Sequence, residues 1–171
     1  MQRRNFIKGL LASTVAGTFP ATADASDNVQ LNQRIVNIAR GAIGKPGGNR
    51  YNSWLFGYNV MMAAGGRGPY HGPQNQYAWG RPIGWNELGP GDYIQIESPT
   101  VFKTPPPNCR AYWGCSGRCT WIVLNRQNGR APGSVLNIAY MYRVNRVQAA
   151  RIDVWDRTCG NQIYLYRPQL R

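Results

Sequence analysis

The sequence is poor in the side chains from which catalytic and metal centres are built. It contains one histidine, His71, and seven acidic residues against 20 basic ones. The acidic residues show no spacing that forces two carboxylates together for acid–base catalysis. No cluster of His, Cys and Asp has metal-site spacing, and no glycine-rich phosphate loop is present. We therefore predict neither a metal site nor a cofactor.

Long apolar runs are also absent. The run from Gly9 to Phe19 is too short to span a bilayer. It follows Arg3-Arg4 and precedes small residues, a pattern typical of an export signal, and the sequence "RRNFIK" favours the twin-arginine (Tat) type over an ordinary Sec signal. We expect a periplasmic or extracellular protein. Its predicted organisation is a cleaved signal followed by a single domain: residues 1–25 and 26–171.

Lysine is scarce, so arginine carries the positive charge. The whole chain has a net charge of +13, and removal of the signal leaves 17 basic and six acidic residues, a net charge of +11. Arginine forks suit carboxylates and phosphates. The anions that such a charge would meet outside the cytoplasm are envelope polymers, with nucleic acid less expected. The arginines form no run, so a basic surface without a partner is the alternative.

Four cysteines occur, all in the second half of the chain. An even number in an exported protein favours disulfides over metal binding. Their spacing matches neither a zinc ribbon nor a thioredoxin site. Three pairings remain open among the disulfide candidates: Cys109, Cys115, Cys119 and Cys159.

Two helices are predicted in the first part of the domain. The first is indicated by an apolar stripe with spacings of three and four: Leu31, Ile35, Ile38 and Ala42. Gly44 and Pro46 should end it. The second begins at Ser53, which we expect to act as a helix cap, and stops at Gly65-Gly66.

Strands dominate the second part. From Asp92, which should cap the turn "GPGD", the apolar period changes to two. The strand candidates are "GDYIQIE", "TWIVLNR", "SVLNIAYMY", "RVQAARIDV" and "NQIYLYR". Helices followed by four to six strands predict an α+β fold, with the helices packed on one face of an antiparallel sheet.

Three stretches resemble the papain-like fold of NlpC-type cell-wall cysteine peptidases. They are "GGNRYNSWLFGYNVMMAAGG", "YAWGRPIGWNELGPGDYIQIESPTVF", and "CTWIVLNRQNG" with the following "SVLNIAYMY". The chain is also similar to the cysteine-proteinase-fold domain of certain fungal actin-patch proteins. The resemblance covers most of residues 28–168, and its most specific part is "WGRP…PGDYIQIE".

The resemblance implies that both reactive positions are substituted. The family's nucleophilic cysteine falls on Ser53, its general-base histidine on Cys119, and its third polar residue near Asn137. A helix N-terminus stabilises an anion by only about 0.3–1 kcal/mol, so a serine hydroxyl there needs an adjacent base. We expect His71 to be a surface loop residue, the alternative being a relocated base.

The resemblance therefore favours a binding module without catalysis. A cleft between the second helix and the sheet would hold a cell-wall stem peptide. Its expected lining residues are Trp54, Tyr77, Trp79 and Trp121. One alternative is an atypical amidase or peptidase that uses Ser53 with His71, or a reduced Cys119. The other is a basic polyanion-binding protein.

Overall fold

The computed structural model describes seven stretches of the chain: residues 23–46, 53–72, 76–97, 118–127, 135–142, 146–153 and 162–171. These form two helices and eight strands: α1 Ala23–Ala42, α2 Ser53–Ala63, β1 Tyr70–His71, β2 Tyr77–Ala78, β3 Arg81–Pro82, β4 Tyr93–Glu97, β5 Cys119–Gln127, β6 Val135–Tyr142, β7 Arg146–Asp153 and β8 Gln162–Arg167. The predicted export signal lies outside them except for its last three residues. Three of the cysteines also lie outside them: Cys109, Cys115 and Cys159.

Helix α1 confirms the predicted apolar stripe. Leu31 and Ile35 have no exposed surface, and Ile38 and Ala42 are partly buried against the same core cluster. The helix begins at Ala23 and ends at Ala42. Gly44 follows with a φ of 80°, a left-handed conformation that stops the helix.

The double-glycine stop of α2 is also confirmed. Gly65 has a φ of 84°. Its N–H donates to the carbonyl of Met62 at 3.1 Å, and the N–H of Gly66 donates to the carbonyl of Met61 at 2.9 Å. This is the Schellman arrangement, which satisfies carbonyls that the helix end would otherwise leave without partners.

The strands confirm the predicted α+β class and the antiparallel sheet. Six of them form one sheet in the order β3-β8-β4-β5-β6-β7, and every neighbouring pair is antiparallel. The short strands β1 and β2 pair separately. Strand β8 lies between β3 and β4, so strands distant in sequence are neighbours at the centre of the sheet.

The two faces of the sheet carry different clusters, because successive side chains of a strand point to opposite sides. The face toward the helices includes Tyr93, Ile122, Leu124, Ala139, Met141 and Tyr166. The opposite face includes Ile94, Ile96, Cys119, Trp121, Val123 and Leu136. This division decides which residues of β5 share a side with α2.

The turn before β4 is held by a buried carboxylate, as the sequence predicts. The side chain of Asp92 has no exposed surface and accepts hydrogen bonds from the N–H of Gly89 at 2.8 Å and from Asn32 of α1 at 3.0 Å. Arg167 of β8 completes the group at 3.0 Å and 3.2 Å. Burial raises the pKa of Asp92, and the hydrogen bonds from Arg167 oppose that rise. One side chain thus connects α1, the turn and β8.

Candidate functional site

The N-terminus of α2 is fastened to the start of β5. Ser53 is buried, and its Oγ accepts a hydrogen bond from the backbone N–H of Thr120 at 3.2 Å. A capping serine would instead accept from an N–H in the first turn of its own helix. No such bond occurs within the described stretches, so the predicted capping role of Ser53 is replaced by an anchor between helix and sheet.

A row of buried polar side chains continues from this anchor along β4. Thr120 Oγ1 donates to Gln95 Oε1 at 2.7 Å, and Trp79 Nε1 donates to the same oxygen at 2.8 Å. Gln95 Nε2 in turn donates to Glu97 Oε1 at 3.1 Å. The backbone N–H of Tyr77 also reaches that carboxylate oxygen at 3.1 Å. The row fixes the Thr120 side chain, because buried polar groups are costly to leave without partners.

The row ends at an arginine on the surface. Arg118 Nε forms an ion pair with the buried Glu97 carboxylate. The guanidinium carbon of Arg118 lies 5.3 Å from the ring centroid of Tyr77. Both contacts hold the cation at one place, although 44% of its side chain remains exposed.

Four aromatic rings lie next to one another beside Ser53. We call them the ring row: His71, Tyr77, Trp54 and Tyr58. Successive ring centroids are 5.2 Å, 5.6 Å and 5.4 Å apart. His71 is exposed and the other three rings are half-buried. The Trp54 indole N–H is buried and has no hydrogen-bond partner among the described residues. The ring row is therefore an aromatic surface directly beside the helix N-terminus.

Two of the predicted cleft residues do not line this surface. Trp79 contacts Trp54 at 6.4 Å but has no exposed surface, so it supports the ring row from below. Trp121 lies on the opposite face of the sheet, where its ring packs 6.4 Å from Tyr140. The alternation of β5 explains this correction, because Thr120 faces α2 and its neighbour must point away.

The same alternation separates Ser53 from Cys119, the position that the resemblance assigned to the base. Cys119 points to the side of the sheet opposite Ser53, and it is disulfide-bonded. The residue of β5 that meets Ser53 is Thr120, one position later. A shift of one residue in a strand exchanges the two faces.

His71 and Asn137 are not brought to the serine either. The His71 ring packs on Tyr77, and in the described part of the chain it makes no hydrogen bond to Ser53. Asn137 pairs with Asn125 of β5. That position is six residues from Cys119, about 20 Å along a strand at roughly 3.4 Å per residue.

Sequence reasoning missed Thr120, Gln95 and Glu97. The pattern "YIQIE" reads as an amphipathic strand with polar side chains toward solvent, whereas Gln95 has no exposed surface and Glu97 is 6% exposed. The available signal was that Tyr93, Gln95 and Glu97 share one face. A polar face beside an apolar helix indicates a buried network.

The comparisons with known proteins give the chain no relative. No family model, curated protein or solved structure matches it. Within the described residues, neither helix is long and apolar enough to cross a membrane. The same stretches contain no group of three His, Cys, Asp or Glu side chains that could hold a metal ion.

The close contact between α2 and β5 predicts that alanine substitutions at two glycines change the free energy of unfolding in opposite directions. A Cβ on Gly57 would lie 2.9 Å from Thr120 Cγ2 and 3.2 Å from Trp79 Cη2. Alanine there should gain about 1 kcal/mol of helix propensity but lose more to overpacking, about 1–3 kcal/mol. We expect Gly57→Ala to lower the free energy of unfolding measured with urea.

Gly41 of α1 is the matched control. A Cβ on Gly41 would meet nothing within 4 Å, so Gly41→Ala should stabilise the protein by up to about 1 kcal/mol. Equal stabilisation by both substitutions would show that α2 does not approach β5 this closely.

Proposed function

We propose that the chain is an exported, catalytically inactive domain of the papain-like NlpC type. It binds a cell-wall peptide at the N-terminus of α2, along the ring row. The observation that carries the proposal is the bond from the Thr120 N–H to Ser53 Oγ. The bond joins a helix N-terminus to the start of a strand. In the family that the sequence resembles, a nucleophile and a base meet at such a junction, whereas here both residues carry hydroxyl groups.

The chemistry of the anchor supports a lack of turnover. A serine hydroxyl becomes a nucleophile when an adjacent base removes its proton. Within the described residues, the hydrogen-bond partner of Ser53 Oγ is an N–H donor, which cannot accept that proton. His71, the only histidine in the chain, contacts Tyr77 instead. Cys119 lies on the other face of the sheet and is disulfide-bonded.

The surface beside the anchor supports binding. The half-buried rings of Trp54 and Tyr77 offer apolar faces, and aromatic side chains with a polar edge dominate many binding surfaces. Arg118 places a positive charge over Tyr77. A peptide could lay its apolar groups on these rings, beside the ion pair of Arg118 with Glu97.

The proposal predicts binding without cleavage. Soluble peptidoglycan fragments incubated with the protein should be recovered with every amide intact when analysed by mass spectrometry. Calorimetry should detect binding, and Trp54→Ala should weaken it by about tenfold or more because it removes a central ring. Tyr70→Ala, which changes an exposed tyrosine outside the ring row, should leave the affinity unchanged. Amide cleavage that disappears in Ser53→Ala would overturn the proposal.

Restoring a thiol and an imidazole tests the inferred ancestry of the site. In Ser53→Cys/Thr120→His the two groups should meet, and the imidazole should lower the pKa of the thiol. The rate of alkylation against pH measures that change. Ser53→Cys/Cys119→His should show no such shift, because residue 119 points to the other face. A lowered thiol pKa in the second variant rather than the first would refute the assignment of Thr120.

A second candidate, polyanion binding, is favoured by the charge distribution. The described residues include several exposed arginines: Arg34, Arg40, Arg67, Arg81, Arg146 and Arg151. Asp92 and Glu97, by contrast, are buried. The described surface is therefore more basic than the composition alone implies.

Salt dependence separates the two candidates. A protein that contacts six or more phosphates should lose roughly 10³-fold in affinity between about 50 mM and 200 mM salt. Peptide binding through the ring row, with one arginine, should weaken only slightly. Fluorescence titrations with heparin and with a stem peptide at both salt concentrations measure the difference. A steep loss for the peptide as well would favour polyanion binding.

A further inference from the structure

Strand β7 forms the long edge of the six-stranded sheet. It pairs with β6 over all eight of its residues without a register shift and lies at the end of the strand order. The other edge strand, β3, has two residues. An edge strand presents backbone N–H and C=O groups to whatever lies beside it, so β7 is the place where another strand could join this sheet.

The segment that follows α1 covers the beginning of this edge. The N–H of Val147 donates to the carbonyl of Lys45 at 3.2 Å, and the N–H of Gly44 donates to the carbonyl of Val147 at 2.9 Å. Pro46 forms an antiparallel bridge with Arg146 and has no N–H with which to extend the pairing. These bonds also establish that the backbone groups of Val147 point away from β6.

The backbone groups of Ala149 and Arg151 point the same way, because their direction alternates along a strand. Within the described stretches, no segment lies alongside these two residues, and both are exposed. Strand β7 contains no proline, lysine or bulge that would block pairing. Residues 149 and 151 thus offer two donors and two acceptors to an incoming strand.

The charge beside this edge favours an acidic strand. Lys45 and Arg151 are exposed and form no ion pair within the described residues. The exposed acidic residues lie elsewhere: Asp27 is near the start of α1, and Glu87 is paired with an arginine of β3, the opposite edge. Asp153, the one acidic residue of β7, is its last residue. A carboxylate opposite Arg151 would therefore meet a positive charge that no described carboxylate neutralises.

A second copy of the chain fits this edge poorly. The uncovered stretch runs from residue 149 to the end of β7 at residue 153. Two copies paired antiparallel over this stretch would place their Arg151 side chains directly opposite each other, and like charges in that position are destabilising. An acidic strand is attracted by the charge that repels a second copy.

We propose that β7 binds an extended acidic segment of another protein, which joins the sheet antiparallel to β7. The backbone of this segment exchanges hydrogen bonds with Ala149 and Arg151. Its carboxylates lie on the side of the Arg151 side chain. Its alternate side chains are apolar and lie beside Ala150, which packs against the cluster on the opposite face of the sheet. This interface goes beyond the proposed function, because it uses no residue of the ring row.

Calorimetry with two short peptides tests the choice of partner: one alternates glutamate with valine, the other lysine with valine. The full chain should bind the glutamate peptide about tenfold more tightly. Arg151→Glu should reverse this preference. Arg67→Glu makes the same change of charge at an exposed residue that bonds to Gln169 beside β8, and it should keep the preference. Equal affinity for the two peptides, or no binding of the glutamate peptide, would overturn the proposal.

Proline substitutions test the use of the backbone edge. A sheet tolerates proline on an edge strand where the N–H points outward, so Ala149→Pro should leave the thermal midpoint nearly unchanged. It should weaken binding of the glutamate peptide about tenfold or more, because an outward donor is lost. Gln148→Pro should instead lower the midpoint, because residue 148 faces its partner on β6. Undiminished peptide binding by Ala149→Pro would refute the edge as the site.

Two further measurements separate this interface from the other possibilities. The amide hydrogens of Ala149 and Arg151 should exchange rapidly in the free protein and slowly with the glutamate peptide bound. Trp54→Ala should leave the affinity for this peptide unchanged, so a failure at the ring row can be told from a failure at β7. Self-association in sedimentation experiments that is lost in Ala149→Pro would overturn the acidic partner in favour of a second copy.

Discussion

The close contact between α2 and β5 is the constraint on which the rest of the site depends. Gly57 lets the helix approach until its carbonyl accepts a hydrogen bond from the Tyr93 hydroxyl at 2.9 Å. At that separation the first residue of the helix, Ser53, reaches the backbone of Thr120. A larger residue at the glycine would move the helix outward, and the serine would lose its partner. Because Gly57 has no side chain, it sets the position of the Ser53 hydroxyl, the ring row and the row of buried polar side chains.

The anchor also determines what the hydroxyl can do. A helix N-terminus favours negative charge, which is useful for a thiolate and too weak for an alkoxide. With an N–H donor as its partner, Ser53 contributes to the packing of helix on sheet. Any function of the site therefore depends on the side chains around the anchor. In the proposed function, Trp54 and Tyr77 offer apolar faces to the ligand, and the guanidinium of Arg118 lies over Tyr77.

The sequence predicted the local elements well and the site less well. The stripe of α1 and the two glycines that end α2 depend on neighbouring residues, so their signals are strong. Cys119, the position that the resemblance assigned to the base, lies on the face away from Ser53, and Thr120 meets Ser53 instead. Neighbouring residues of a strand face opposite sides, and the sequence pattern does not fix which side is inward. The burial of Gln95 and Glu97 was not predicted, since polar residues at alternate positions of a strand normally face solvent. The two-residue strands β1 to β3 are too short to show any period, and the place of β8 depends on contacts distant in sequence.

The place of β8 in the sheet bears on when this domain can fold. Its partner β4 precedes it by more than 60 residues, and β8 supplies the arginine that neutralises Asp92. While β8 is still within the ribosome, β4 has an open edge and the buried carboxylate lacks its counter-charge. Such long-range closure slows folding. A nascent chain of this kind would depend on protection of that edge until β8 emerges.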